Sequence, residues 1–516
     1  MNRWATAGGL LAAAGIALGL RCPRLSERPM HNDEGVNAVK FGGLWTHGVY
    51  KYDPSEYHGP TLPYATLLIN RLTGAPAYPN FTESRLRIVT VVFGVCLILL
   101  YPLLRDGLGA KGAVWAGIFT AVSPAMVYYS RYYIHETLLV FFTGLSLASG
   151  WRYWKTRKIG WAILCGTSVG FMYATKETFI LTLLACGLAL ALNQFWNRKL
   201  DAAGSPTYAQ KLDLQHVLAG VIAGAVIWLL LFSSFFTNSS GLRDSITTYA
   251  RWLGRAGASS PHVHEWSFYL HRLLFFHAHK GPLWSEMLIF LLALVGAAAG
   301  FFRKGISDGS ASFVRFLSFY TFILTGIYSV LSYKTPWCLL SFWLGFILLA
   351  GVGASVLVTI ARFQWARFVT CIALSVGAAQ LGAQAWQASL EYGADPANPY
   401  VYAHTSEDIL QLVKDVESVA QSSPEGHSLT IKVMAPDGDY WPLPWYFRKF
   451  EHTGWYNNLP DDPFAPIMIV SPQFHPSLDQ KGTHTMIGIF QLRPGVFFQL
   501  YVETALWKAH LASRTK

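Results

Sequence analysis

Eleven apolar runs recur along this chain, each of roughly 17–25 residues and so long enough to cross about 30 Å of hydrocarbon as a helix. They lie near 4–20, 86–104, 112–129, 136–151, 159–175, 177–194, 216–236, 283–302, 313–332, 337–360 and 366–388. Lipid offers no water to an unpaired N–H or C=O, so runs of this kind are expected as helices. Only 13% of the 516 residues are charged, about half the ~25% of an ordinary soluble domain. Disorder, a disulfide scaffold and a simple soluble enzyme are thereby excluded. The predicted fold class is an all-α polytopic membrane protein with about eleven transmembrane helices, followed by a small α/β domain.

The net charge of +11 is unevenly placed. Residues 1–390 carry +16 and residues 391–516 carry −5. The basic excess therefore belongs to the membrane-like region, and a nucleic-acid partner is not expected. Fifteen cations fall in one set of short loops, against Arg131, Lys176 and Lys334 in the other. By the positive-inside rule the amino terminus is cytoplasmic, and an odd number of spans puts the carboxy-terminal unit outside. The first run lacks a small-x-small cleavage site and reads as an uncleaved anchor. Five cysteines lie in apolar runs, Cys22 stands at a boundary and residues 391–516 have none, so no disulfide is predicted.

The chain divides on this reading into a transmembrane domain, 1–390, with outer loops near 21–85 and 237–282, and an extracytoplasmic soluble domain, 391–516. In the latter, Thr405 or Ser406 is placed to cap a helix carrying Ile409, Leu410, Val413 and Val416. HSLTIKVMA and FAPIMIVSP read as strands. Asp437-Gly438-Asp439 reads as a turn, and no Walker or dinucleotide glycine motif is present. Asn80 and Asn238 fit the glycosylation pattern.

The chemistry-bearing residues gather at the predicted outer mouth. The first loop holds adjacent acids, Asp33 and Glu34, followed by Ala38, Phe41 and Leu44 at helical spacing, as in a short helix lying along a membrane surface. His58, Gly59 and Pro60 mark a turn. Arg131, His135 and Glu136 sit between two runs, Lys176-Glu177 between two more, and Lys334 at another junction. Ionisable groups collected at one mouth of a bundle suggest a functional site. Carboxylates can act as general bases, and cations can hold a phosphate that leaves. The second loop adds Arg243, Arg251, Arg255, Arg272 and Lys280, with His262, His264, Glu265, His271, His277 and His279. Of these, His262, His264 and Glu265 are the candidate ligands for a divalent metal; the alternative is an interfacial loop rich in ring side chains.

Six segments taken in order resemble a known family: HNDEG (31–35), EYHGP (56–60), SRYYIHET (130–137), SYKTPW (332–337), NPYVYAHTSEDI (398–409) and YWPLPWYFR (440–448). The chain resembles the GT-C glycosyltransferases, in particular the dolichyl-phosphate-mannose protein mannosyltransferase and aminoarabinose transferase group. Within that group it is most similar to a prokaryotic branch labelled flippase-activity-associated. The resemblance implies an inverting, hexosyl-type transfer at the outer face, as in protein or cell-envelope glycosylation. The donor is a polyprenyl-phosphate-linked sugar, with no nucleotide sugar, and the acceptor is a protein, lipid or glycan. By motif position Asp33 is the base or acceptor-orienting carboxylate, with Glu34 beside it and Glu136 as a second acid. That second acid is Glu where the mannosyltransferases typically show Asp. Arg131, His58, Lys176 and Lys334 are the candidate substrate-binding residues, Lys334 for the lipid phosphate. A lipid-linked sugar flippase or a non-catalytic assembly subunit are the competing readings.

Overall fold

The computed structural model of the protein describes residues 2–55, 58–201, 213–256, 262–278, 280–475, 477–479 and 482–514, and the side chains of 199–201 and 252–256 are left aside. Glu56 and His279 lie outside the described residues, as does the side chain of Arg255.

All eleven apolar runs are helical. In chain order, the principal helices before the tail are α1 (Arg3–Arg21), α2 (Asn32–His47), α3 (Glu83–Leu99), α4 (Ala110–Val122), α5 (Pro124–Ser130), α6 (Glu136–Thr156) and α7 (Ile159–Tyr173). They continue with α8 (Phe179–Asp201), α9 (Leu214–Phe232), α10 (Met287–Phe302), α11 (Ala311–Val330), α12 (Leu340–Ile360) and α13 (Gln364–Trp386). Among the described residues, seven helices are long and apolar enough to cross a membrane, or eight when the bent pair α4–α5 counts as one span. That pair turns by 58° at Ser123–Pro124. Proline lacks the N–H a continuing helix needs, and Ser123 restarts the chain by accepting from Met126 N. Helices α7 and α10 are apolar but shorter.

The chain forms two compact units. The first comprises Met1–Leu25, Gly48–Ile69 and Arg87–Tyr402, and the second Ser26–His47, Asn70–Leu86 and Ala403–Lys516. In the first unit α12 is the central helix, with 78% of its span buried, whereas only 11% of α9 is buried. Leu218, Val221, Ile222 and Val226 of α9 are exposed, as expected of a face solvated by lipid. Helices α7 and α9 pack backbone to backbone, because a Cβ at Gly166 would collide with the Gly220 carbonyl.

The second unit is built on a five-stranded sheet of β1 (Thr430–Met434), β2 (His452–Tyr456), β3 (Ile467–Val470), β4 (His484–Arg493) and β5 (Val496–Glu503) in the order β2-β1-β3-β5-β4. Strand β1 runs parallel to β2 and β3, and β5 antiparallel to β3 and β4. Ile431 stands opposite Ile467 and Val433 opposite Ile469. These four pack with Ile409, Leu412, Val416 and Val419 of α14 (Asp408–Gln421) in one core. Ser406 Oγ accepts from Asp408 N at the start of that helix. The apolar stripe of α2 is buried within this unit, Phe41 and Trp45 both packing on Phe81.

Candidate functional site

In the first unit three sequence motifs meet. Gly59 N donates to Thr175 O at 3.1 Å and Thr61 N to Ala174 O at 2.9 Å, tying the His58–Pro60 turn to the loop before α8. Glycine is required at 59, since a Cβ there would strike the Ala174 carbonyl. Glu136 opens α6, where a carboxylate favours the helix amino end, and forms a buried ion pair with Lys176. Burial opposes the charge on Lys176, but Glu136 outweighs it and holds the ammonium above its ordinary value.

The next residue, Glu177, takes different partners. Its Oε2 lies 2.8 Å from His58 Nδ1, and Tyr52 donates to its Oε1 at 3.3 Å. Burial would raise Glu177, yet His58 prevails and the carboxyl stays below its usual range. His135 Nε2 meets the Gly59 carbonyl at 3.1 Å, and its ring lies edge-on to His58 at 5.3 Å. A carbonyl can only accept, so His135 carries its proton on Nε2. Burial, with help from His58 and Lys176, keeps its pKa well below 6.5.

Arg131 works elsewhere in this unit. It donates to Arg21 O at 2.7 Å and Arg24 O at 3.5 Å, closing the carboxy end of α1. Lys334 belongs to a third group. Its backbone N donates to His262 O at 2.8 Å, and Nζ donates to His264 O at 3.0 Å and to Leu331 O. His262 Nδ1 and His264 Nε2 both contact the Tyr402 hydroxyl, at 2.8 and 2.9 Å. The metal expectation at His262, His264 and Glu265 is therefore corrected. A phenol takes both imidazoles, and no group of three or more His, Cys, Asp or Glu among the described residues could hold a metal ion.

What surrounds His264 is cationic. A pocket of about 560 Å³ is lined by His264, Glu265, Phe268, His271 and Arg272, among others. Arg272 stacks on Phe268 at 4.2 Å, and its Nε has no hydrogen-bond partner among the described residues. Burial first, then Arg272, His262 and Lys334, lower the pKa of His264. A separate apolar groove of about 620 Å³ runs between α6, α7 and α9 past Tyr153, Tyr173 and Trp228.

The second unit holds the acids Asp33 and Glu34, and it treats them differently. Glu34 is fully buried, accepts from Arg28 Nη2 with both oxygens at 3.2 and 3.1 Å, and takes His31 N at 3.0 Å. Asp33 keeps 43% of its side chain exposed. Its backbone N–H donates to His31 Nδ1 at 3.1 Å, and its Oδ1 accepts from Asn32 Nδ2 at 3.4 Å. Around this turn Tyr446 accepts from Met30 N at 2.8 Å, Pro442 packs against Gly35, and the His31 and His404 rings meet edge-on at 5.5 Å. Asp437-Gly438-Asp439 is a turn, with Asp437 and Gly438 at positive φ and Asp439 paired with Arg493.

Sequence reading passed over three residues with many partners: Glu286, Tyr402 and Tyr52. Each acts through contacts distant in sequence, and only its being a lone acid inside the apolar run 283–302 sets Glu286 apart in the sequence.

The family description of dolichyl-phosphate-mannose-protein mannosyltransferases matches residues 57–209. No curated protein sequence matches the chain. Among solved structures, apo ArnT from Cupriavidus metallidurans superposes with a TM-score of 0.63 at 14% identity, over 97% of this chain and 99% of that one. The same protein bound to undecaprenyl phosphate gives 0.60 at 13% identity, with the same coverage. The Archaeoglobus fulgidus oligosaccharyltransferase, tethered with an acceptor peptide, gives 0.55 at 14% identity over 88% of this chain. The chain spans 64% of that enzyme's length. Together these likenesses show that the protein has the fold of the GT-C glycosyltransferase superfamily.

Proposed function

We propose that the protein is an integral membrane glycosyltransferase that moves a sugar from a polyprenyl-phosphate donor to an acceptor hydroxyl on the outer face, with inversion. The observation that carries this reading is Arg272, a cation lining the pocket of about 560 Å³. Arg272 is matched by no carboxylate among the described residues and its Nε has no hydrogen-bond partner there, as expected of a site kept for an anionic ligand. The fold supports it: ArnT, with which the chain shares its architecture, was crystallised with undecaprenyl phosphate. The apolar groove past Tyr173 offers a surface for isoprenoid.

Asp33 takes the acceptor's hydroxyl proton, and the oxygen attacks the sugar C1. The bond from C1 to the phosphate oxygen breaks, and the lipid phosphate leaves with the bonding electron pair. Displacement from the opposite face inverts the anomeric centre. Glu34, held by Arg28, fixes the turn that presents Asp33. Glu136–Lys176 and Glu177–His58 brace the wall of the first unit. The amino terminus is cytoplasmic and residues 391–516 are extracytoplasmic on this reading.

The test is incubation of the purified protein in vesicles with a labelled polyprenyl-phosphate hexose and candidate acceptors. Transferred sugar of inverted configuration with stoichiometric release of polyprenyl phosphate is expected. Passage of intact lipid-linked sugar across the bilayer without product would replace this reading by a flippase.

A further inference from the structure

We propose that Glu286 is a positioning residue that fixes two arms of the site at once. It is fully buried at the amino end of α10. Four donors converge on its carboxylate: Ser123 Oγ at 2.5 Å, Ala125 N at 2.9 Å, Trp343 Nε1 at 3.1 Å and Tyr400 Oη at 2.7 Å. A carboxylate has about four acceptor sites, so the group is fully used, and the amide of the same size, with one acceptor oxygen and an NH2 donor, does not offer the same set.

The donors come from different parts of the first unit. Ser123 and Ala125 form the sharp turn between α4 and α5, and α5 leads directly into Arg131, His135 and Glu136. That is the first arm. Tyr400 belongs to the segment after α13, where Asn398 Nδ2 grips Ala388 O and Tyr392 O, and Asn398 Oδ1 accepts from Tyr400 N. Two residues further on, Tyr402 holds His262 and His264, whose carbonyls hold Lys334. That is the second arm. A direct link, from Tyr129 Oη to Tyr400 O at 2.9 Å, closes the loop between them. Trp343 fixes the whole to the central helix α12. One carboxylate therefore sets where the Glu136 wall and the His262–His264–Lys334 group stand within this unit.

The catalytic part of this inference rests on the proposed transfer, so its test has two independent readouts on the full-length protein in vesicles. The first is hydrogen–deuterium exchange. In Glu286→Gln, exchange should rise together at 123–136 and at 398–402 with 262–264 and 332–334, while strands β1–β5 stay unchanged. Tyr400→Phe should loosen only the second arm, and Glu286→Asp should restore part of the protection. The second readout is transfer from polyprenyl-phosphate hexose, expected to fall about a hundredfold in Glu286→Gln through misplacement of reacting groups, with partial recovery in Glu286→Asp. A rise in exchange confined to one arm in Glu286→Gln, or spread evenly over the chain, would overturn the proposal. So would unchanged transfer with both arms loosened. Absence of transfer in the wild-type protein would instead refute the functional reading, leaving exchange alone to decide whether Glu286 joins the arms.

Discussion

In the first unit Glu136 and Glu177 are both buried and each lies against a basic side chain, Lys176 and His58. In the second unit the adjacent acids divide: Glu34 goes inside with Arg28, while Asp33 remains at the surface beside a histidine that accepts rather than donates at Nδ1. The difference follows from desolvation. A carboxylate removed from water must find a cation or several donors, and once it has them it is committed to holding structure. Of the four acids, Asp33 alone keeps a substantial share of its side chain in solvent. Neighbours in sequence thus have opposite fates, and the one left accessible is the candidate base.

The largest expected effect on the fold comes from unbalancing the buried pair. Glu136→Gln strands the Lys176 ammonium in a dry site and should cost about 3–5 kcal/mol, read as a large drop in thermal midpoint in detergent. Glu136→Leu with Lys176→Met should be much milder, because two apolar groups need no partners. If the single and double variants melt alike, the contrast between committed and accessible acids loses its basis.

A smaller effect is expected at the cations Arg272 and Lys334. Arg272→Ala and Lys334→Ala should each weaken binding of polyprenyl phosphate in vesicles by about 10- to 100-fold, the loss of one or two charge-assisted hydrogen bonds worth ~1.5–3 kcal/mol. Thermal stability should change little in Arg272→Ala, whereas Lys334→Ala also frees the His264 and Leu331 carbonyls and should melt earlier. Unaltered affinity in both variants would take the phosphate away from these cations.

The smallest effect concerns His135. Its folded pKa is pulled well below 6.5 by burial, so below that pH the unfolded chain takes up a proton that the folded chain refuses. Stability should therefore fall as pH drops through 6.5 and recover above it. His135→Asn should flatten this part of the profile, measured as thermal midpoint against pH.

Much of the architecture was legible because a lipid solvent writes itself into composition. Every apolar run is helical, and the strands expected in HSLTIKVMA and FAPIMIVSP are β1 and β3. The break within the run 112–129 was missed, although Pro124 carries it. Of the candidate residues, only some are brought together, and their wiring was not legible. His58, Glu136 and Lys176 do come together, but nothing local tells that Glu177 rather than Lys176 would take His58, a pairing across 119 residues. Nor does sequence reveal that Arg131 would spend its guanidinium on the end of α1, or that Tyr402 would claim His262 and His264. Such choices depend on which carbonyl or hydroxyl arrives first in space, and periodicity does not encode that.

The most direct test of the central claim is to measure sugar transfer from a polyprenyl-phosphate donor for Asp33→Asn and Glu34→Gln in the same vesicles, with folding of each verified by thermal midpoint. The account predicts that Asp33→Asn keeps its stability and loses about 10²- to 10⁴-fold in transfer, the range for a general base. Glu34→Gln should lose stability first and activity in proportion. Full transfer by Asp33→Asn, or a greater specific loss at Glu34 in a protein that still folds, would contradict the assignment of chemistry to the accessible acid.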